Sequence, residues 1–120
     1  MKNIKTAMTM VQSHLNENEI IENSLYGMFQ YQVFGMGSQR KGILVATNER
    51  MCFYTKYLGS ETFKVFNYAK INSIDVEKGL LTGKKIIFFH DGEREVMNLI
   101  EEGDLERFAV FVKEKIMNLK

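Results

Sequence analysis

A segment that could hold a phosphate group is Gly79-Leu80-Leu81-Thr82-Gly83-Lys84-Lys85. A P-loop needs four residues between its glycines, a Ser or Thr after its lysine, and a following helix whose N-terminus faces the phosphates. This segment has three residues between the glycines, a second lysine in place of the hydroxyl, and a strand pattern behind it. We therefore interpret it as a hairpin turn. Gly35-Met36-Gly37 lacks the third glycine of a dinucleotide-binding motif and also leads into a strand pattern.

Two histidines and one cysteine are the other residues that could support catalysis or metal binding. His90 precedes Asp91 and could act as a base with its orienting carboxylate, but both fall in a predicted exposed turn. His14 lies on the polar side of the first predicted helix. Cys52 lies on a predicted strand, where a small buried residue is usual. These residues lack zinc-ligand spacing, so we expect no metal, no cofactor and no enzyme activity.

The composition is that of one small globular domain. The chain has 120 residues, of which 45% are hydrophobic and 26% charged. No apolar run reaches the roughly 18 residues of a membrane span, and no signal peptide is visible, so we expect a cytoplasmic protein. The net charge of +1 gives no pull toward nucleic acid. Residues 38–85 carry nine basic and four acidic side chains, whereas residues 86–120 carry five and eight, which could orient a partner or a second copy.

The apolar periodicity changes twice along the chain. Ile4, Met8, Val11 and Leu15 recur at helical spacing and predict a first helix. Two-residue turns are indicated within Thr47-Asn48-Glu49-Arg50 and at Asp91-Gly92. Short β patterns predict about seven strands, near residues 24–34, 43–46, 51–58, 63–66, 71–76, 84–89 and 94–100.

The last segment predicts a second helix. Asp104 follows Gly103 and is a good N-cap, because its side chain can accept a hydrogen bond from the first helical turn. One stripe of the helix is apolar and is expected to close the strand structure: Leu105, Phe108, Ala109, Val112, Ile116 and Leu119. The order is helix, seven antiparallel strands, helix.

Three segments carry recognisable patterns. Gly42 to Met51 fits "G-x-L-x-x-T-x-x-R", Phe66 to Ile74 is an aromatic segment ending in "I-x-S-I", and Lys78 to Gly83 is a turn pattern that follows. These segments resemble the corresponding hairpin, strand and turn of the YokE-like bacterial pleckstrin-homology (PH) domains. The resemblance covers residues 18–118. It implies a mainly β fold, a bent seven-stranded antiparallel barrel with a C-terminal capping helix. We expect a PH-like domain at residues 18–120 and an N-terminal helical extension at residues 1–17.

The resemblance also implies a place for lipid contact. Many eukaryotic PH domains hold phosphoinositides with basic residues in the loop between their first two strands. That loop corresponds to Gly35–Lys41 and offers Arg40 and Lys41. A second contact could come from a turn whose leucines enter a membrane while lysines meet anionic lipid, namely Leu80, Leu81, Lys84 and Lys85. The leucines could instead fold back onto the barrel.

A protein-contact surface is predicted on the two helices. Val110 and Met117 fall opposite the core stripe of the last helix, with Phe111 on the flank. Met8 and Met10 give the first helix an adaptable apolar surface. Either the first helix packs on the last within one chain, or one copy packs on another. We expect a non-enzymatic module of a bacterium or its phage that binds a protein or forms a homo-oligomer, with anionic membrane binding as the alternative.

Overall fold

The computed structural model describes residues 4–33, 36–81 and 83–119. Its elements are α1 (Ile4–Gln12), β1 (Ile21–Val33), β2 (Met36–Thr47), β3 (Arg50–Tyr57), β4 (Ser60–Asn67), a 3-10 turn (Tyr68–Lys70), β5 (Ile71–Gly79), β6 (Gly83–His90), β7 (Glu93–Glu102) and α2 (Leu105–Met117). The predicted order of helix, seven strands and helix is confirmed.

The strands form one bent antiparallel sheet in the order β4-β3-β2-β1-β7-β6-β5. Asn48 and Glu49 connect β2 to β3, as the turn signal predicts. The β6–β7 turn has positive φ at Asp91 (55°) and Gly92 (85°), the backbone that a two-residue hairpin of this type requires. Strong turn chemistry therefore places these connections within a residue of their predicted positions.

The β1–β2 hairpin differs from the prediction. β2 begins at Met36 and stays paired with β1 from the Val33–Met36 pair down to Met28–Lys41. Residues 36–41, predicted as a loop, are therefore strand. Phe34 and Gly35, the predicted end of the first strand and start of the loop, lie outside the described residues. The pairing with β1 overrides the low strand propensity of the glycine and polar residues here.

The inner face of the sheet carries the main core. Among the residues that the structure describes, five fully buried phenylalanines belong to this cluster: Phe29, Phe53, Phe66, Phe88 and Phe108. α2 contributes Phe108 together with Leu105, Ala109 and Val112, as its stripe predicts. Ile116 is half-buried, but Leu119 lies beyond the end of the helix and is exposed. The last helix thus closes the core with four residues.

The outer face of the sheet carries a second core, which α1 covers. α1 packs against β2 and β3, where Val11 is fully buried beside Ile43, Val45 and Tyr54. Side chains alternate along a strand, so Ile43 and Val45 face outward while Leu44 faces the main core. α1 and α2 therefore lie on opposite sides of the sheet. Of the two alternatives left open for the helix surfaces, packing of α1 on α2 within one chain is therefore wrong. Strand alternation gives α1 an apolar face of the sheet to cover instead.

A buried polar cluster fastens the segment that follows α1. The Glu19 carboxylate accepts hydrogen bonds from Arg50 Nε (2.9 Å) and Nη2 (3.0 Å), and from the Thr47 hydroxyl (2.7 Å). Arg50 Nη2 also donates to the carbonyl of His14 (3.4 Å). Burial alone would raise the pKa of Glu19, but these hydrogen bonds outweigh it and hold the pKa below its usual value. We call this group the Glu19 clasp.

Gly42 sits where β2 approaches β3 too closely for a side chain. A Cβ at this position would lie 2.3 Å from the carbonyl oxygen of Tyr54 and 2.7 Å from the Phe53 ring. Glycine at this position therefore allows the two strands to approach each other. The described helices include none long and apolar enough to cross a membrane.

Candidate functional site

The outer face of α2 exposes the apolar pair that the helical spacing predicts. Val110 is 53% exposed and Met117 is 69% exposed. They lie seven residues apart, about two helical turns, with Lys113 and Glu114 between them. A helix that closes a core usually exposes polar residues on this side. The outer side of α2 thus carries an apolar side chain at each end, with Lys113 and Glu114 between them. We call these four residues the α2 surface.

Local chemistry holds α2 in one orientation. The Asp104 carboxylate caps the helix by accepting a hydrogen bond from the Arg107 backbone N–H (3.0 Å). Gly103 has φ of 113°, and a Cβ there would lie 2.4 Å from the carbonyl oxygen of Ser24, so the chain turns tightly into the cap. Lys113 lies 3.5 Å from Asp75 on β5. The α2 surface thus lies on a capped helix whose opposite side is buried in the main core.

The remaining predicted contact residues lie elsewhere. Phe111 is half-buried against the main core, with the Lys115 ammonium 5.6 Å from its ring centre. Met8 and Met10 are half-buried against the outer face of the sheet. The structure brings Val110 and Met117 together and separates them from the methionines of α1.

The β5–β6 turn projects two leucines into solvent. Leu80 and Leu81 are fully exposed, so they do not fold back onto the barrel. Lys84 lies beside them and pairs with Glu106 of α2 at 2.7 Å, while Lys85 is half-buried. Thr82 lies outside the described residues. Glu106 therefore offsets the charge of Lys84 at this end of the molecule.

Arg40 and Lys41 do not stand on a loop. Arg40 lies over the Tyr57 ring at 4.0 Å and donates to Ser38 Oγ (2.7 Å) and to the Gln39 carbonyl (2.9 Å). Lys41 Nζ pairs with the Glu101 carboxylate, which raises the pKa of the lysine. Both side chains belong to β2, and neither lies near Lys84 and Lys85 in the strand order, which separates β2 from β6 by two strands.

A polar cavity that sequence reasoning missed lies between the β1–β2 hairpin, β4 and the β6–β7 hairpin. Its volume is about 790 Å³, and Gln30, Ser38, Lys64 and Glu95 help to line it. Lys64 Nζ lies 3.8 Å from Glu95 Oε1, and burial raises the pKa of Glu95 while Lys64 opposes the shift. The sequence did contain one signal for this cavity. Lys64 lies two residues before the core residue Phe66 on the same strand, so its charged side chain lies on the inward face.

The candidate catalytic residues have structural surroundings. His90 is half-buried, not exposed as predicted; its ring lies edge-on to Phe66 at 5.1 Å, and burial lowers its pKa. His14 follows α1 and stacks on Phe63 at 4.8 Å, so it does not lie on a polar helix face. Burial raises the pKa of the Cys52 thiol to about 12. Within residues 4–33, 36–81 and 83–119, no three His, Cys, Asp or Glu side chains could hold a metal ion.

Comparison with known proteins gives a family and a fold. A family model described as "Bacterial PH domain" matches residues 15–114. A search of curated proteins finds no match.

Solved structures of low sequence identity share the fold. The pleckstrin homology domain from Shewanella amazonensis SB2B is 18% identical, with a TM-score of 0.62 over 97% of this chain and 99% of that one. A DUF1696 family protein with a pleckstrin-homology domain from Shewanella loihica PV-4 is 17% identical, with a TM-score of 0.60 over 98% and 92%. The PH domain of USP37 is 12% identical, with a TM-score of 0.57 over 79% and 97%.

Proposed function

The chain belongs to the bacterial PH domain family, and from this premise we propose that it is a non-enzymatic module that acts by protein contact, including contact with a second copy of itself. PH-like domains generally mediate protein or lipid interactions. The observation that carries the proposal is the α2 surface, on which Val110 and Met117 are exposed on a capped helix. The proposal places the module in the cytoplasm, where a single cysteine such as Cys52 is normally kept reduced.

The order of residues on the α2 surface is self-complementary. In a two-fold symmetric contact, residue i of one copy meets residue j of the other, and j meets i. Two antiparallel α2 helices centred between Lys113 and Glu114 would place Val110 against Met117 of the second copy. The same arrangement places Lys113 against Glu114 of the second copy. Apolar groups then meet apolar groups, and opposite charges meet in the centre.

The contact area sets the expected strength. A helix of 13 residues is about 20 Å long, and one such helix pair covers less surface than a standard stable interface. We therefore expect a concentration-dependent dimer. Residues 1–17 are proposed as a helical extension to the PH-like domain at residues 18–120, so they are not required for this contact.

Light scattering after size exclusion, over a concentration series at low and moderate salt, tests the proposal. The expected mass rises from 14.0 kDa toward twice that value. Val110→Asp and Met117→Asp should return the mass to one chain without lowering the melting temperature. Leu81→Asp introduces the same charge at another exposed site and is the matched control. A mass of one chain at every concentration, or equal effects of all three variants, would contradict the proposal.

Anionic membrane binding is the second candidate, favoured by the full exposure of Leu80 and Leu81 beside lysines. Leucines at a turn can enter the interface while lysines contact anionic headgroups. Co-sedimentation with phosphatidylcholine vesicles, with and without phosphatidylserine, measures this. Salt-sensitive pelleting with the anionic vesicles, abolished by Lys84→Glu with Lys85→Glu and retained by Val110→Asp, would support it. Equal pelleting with both vesicle types would count against it.

A further inference from the structure

A cleft remains open between α1 and the outer face of the sheet. Its volume is about 260 Å³, somewhat below the usual range for drug-sized ligands. Ala7 and Met10 of α1 form one wall, and Tyr26 of β1 and Tyr54 of β3 form the floor. Both tyrosines are nearly buried, so the floor is aromatic and largely shielded from water. Such walls suit a narrow apolar group.

Two lysines stand together at the rim of this cleft. In the β2–β3 ladder Ile43 lies opposite Tyr54, and Lys41 and Lys56 are each two residues further toward the same end. They therefore project from the same face as the tyrosines, and both help to line the cleft. Two ammonium groups at one rim favour an anion there, because opposite charges attract.

The acidic neighbours leave room for such an anion. Glu101 pairs with Lys41 from β7, on the far side of that lysine from β3. Glu61 lies across from Lys56 on β4, but its carboxylate accepts a hydrogen bond from the Tyr54 hydroxyl (2.5 Å) and lies 3.9 Å from His14 Nε2. Glu101 thus contacts Lys41 from outside the cleft, and Glu61 contacts Tyr54 and His14.

We propose that this cleft binds a small amphipathic anion, a short apolar chain that ends in a single carboxylate. The chain lies between Met10 and the two tyrosines, and the carboxylate lies between Lys41 and Lys56. Met10 is suited to this role because its flexible thioether adapts to the shape of a ligand. The site is independent of the α2 surface, which lies on the opposite side of the sheet.

Octanoate and its neutral counterpart 1-octanol are the probes, titrated into the full ¹⁵N-labelled chain and followed by amide chemical shifts. Octanoate should shift the amides of Ala7, Lys41 and Lys56 in a saturable way with Kd below about 1 mM, and octanol should bind much more weakly. Lys56→Gln, an exposed substitution, should weaken octanoate roughly tenfold because a charge-assisted contact is lost. Ala7→Phe should fill the cleft and abolish binding.

The matched control is Lys85→Gln, which removes a lysine from β6 and should leave the affinity unchanged. Equal affinity for octanoate and octanol would overturn the proposal, as would normal octanoate binding by Lys56→Gln. Shifts spread over all of α1 with loss of its helical signals would also overturn it, because the ligand would then displace the helix. Thermal melts confirm that each variant remains folded.

Discussion

The two helices cover opposite faces of the same sheet, and they do so by different means. α2 has a side-chain N-cap, an acidic residue in its first turn and four buried residues in the main core. α1 has nine residues, of which Val11 is the buried one, and its following segment is held by the Glu19 clasp. Both helices are amphipathic. Because α2 joins the main core and α1 joins the smaller one, we expect the fold to depend more on α2 than on α1.

The largest expected effect comes from truncating α2 in the main core. Phe108→Ala should lower the free energy of unfolding by about 3–5 kcal/mol, because Phe108 is fully buried and its removal leaves a cavity. Urea denaturation measures this loss. Val110→Ala on the exposed side of the same helix should stay within about 0.5 kcal/mol of the parent. Similar losses for both variants would show that α2 does not close the core as described.

A smaller and more local effect is expected at α1. Arg50→Met leaves the fully buried Glu19 carboxylate without its cation, at a cost of about 3 kcal/mol. The loss should appear first as faster hydrogen exchange in α1 and in the segment to Glu19, with the strand amides of β6 and β7 still protected. Arg40→Met, also on the sheet but outside the clasp, is the control. Unchanged exchange in α1 would contradict the role assigned to the clasp.

The smallest expected effect is a difference in pH dependence between the two faces. Burial lowers the pKa of His90 in the inner face, so the unfolded chain binds its proton more readily and stability falls as pH drops below about 6.5. The pKa of Glu19 in the clasp is held below its usual value of about 4.3. Its contribution to stability is therefore fully present above that pH and is lost only as the pH falls through the lowered pKa of the folded state. The inner face should therefore weaken first on acidification.

Melting temperatures between pH 7.5 and 5 check this order. His90→Phe should flatten the curve relative to the parent chain. Burial raises the pKa of Glu95, so its protonation acts in the opposite sense, but Glu95 is present in both chains and does not affect their difference. A slope that persists unchanged in His90→Phe would contradict the assignment.

Much of the fold was predictable because local signals were strong. Asp91-Gly92 and Asn48-Glu49 mark turns, and Asp104 marks the start of α2. The exposure of Val110 and Met117 followed from helical spacing alone. The β1–β2 hairpin was misjudged because its glycine and polar residues carry little strand propensity, and pairing with a long neighbouring strand decided their conformation.

The candidate sites were less predictable because they combine distant residues. The cavity beside Lys64 joins three strand regions, and the cleft beside Lys56 joins α1 to three strands. His90 ends β6 and packs against Phe66 of β4, and β5 separates these two strands along the chain. No spacing along the sequence reports such contacts.

The sequence by itself determined the element order, the turns and the two faces of α2, because backbone propensity, capping and periodicity act over a few residues. Only the tertiary structure decided where α1 lies. The outward residues of β2 and β3 offer it a second core, and the Glu19–Arg50 pair joins residues 31 positions apart. The closing of a cleft or a clasp depends on strand register and sheet curvature, which arise from the packing of the whole chain.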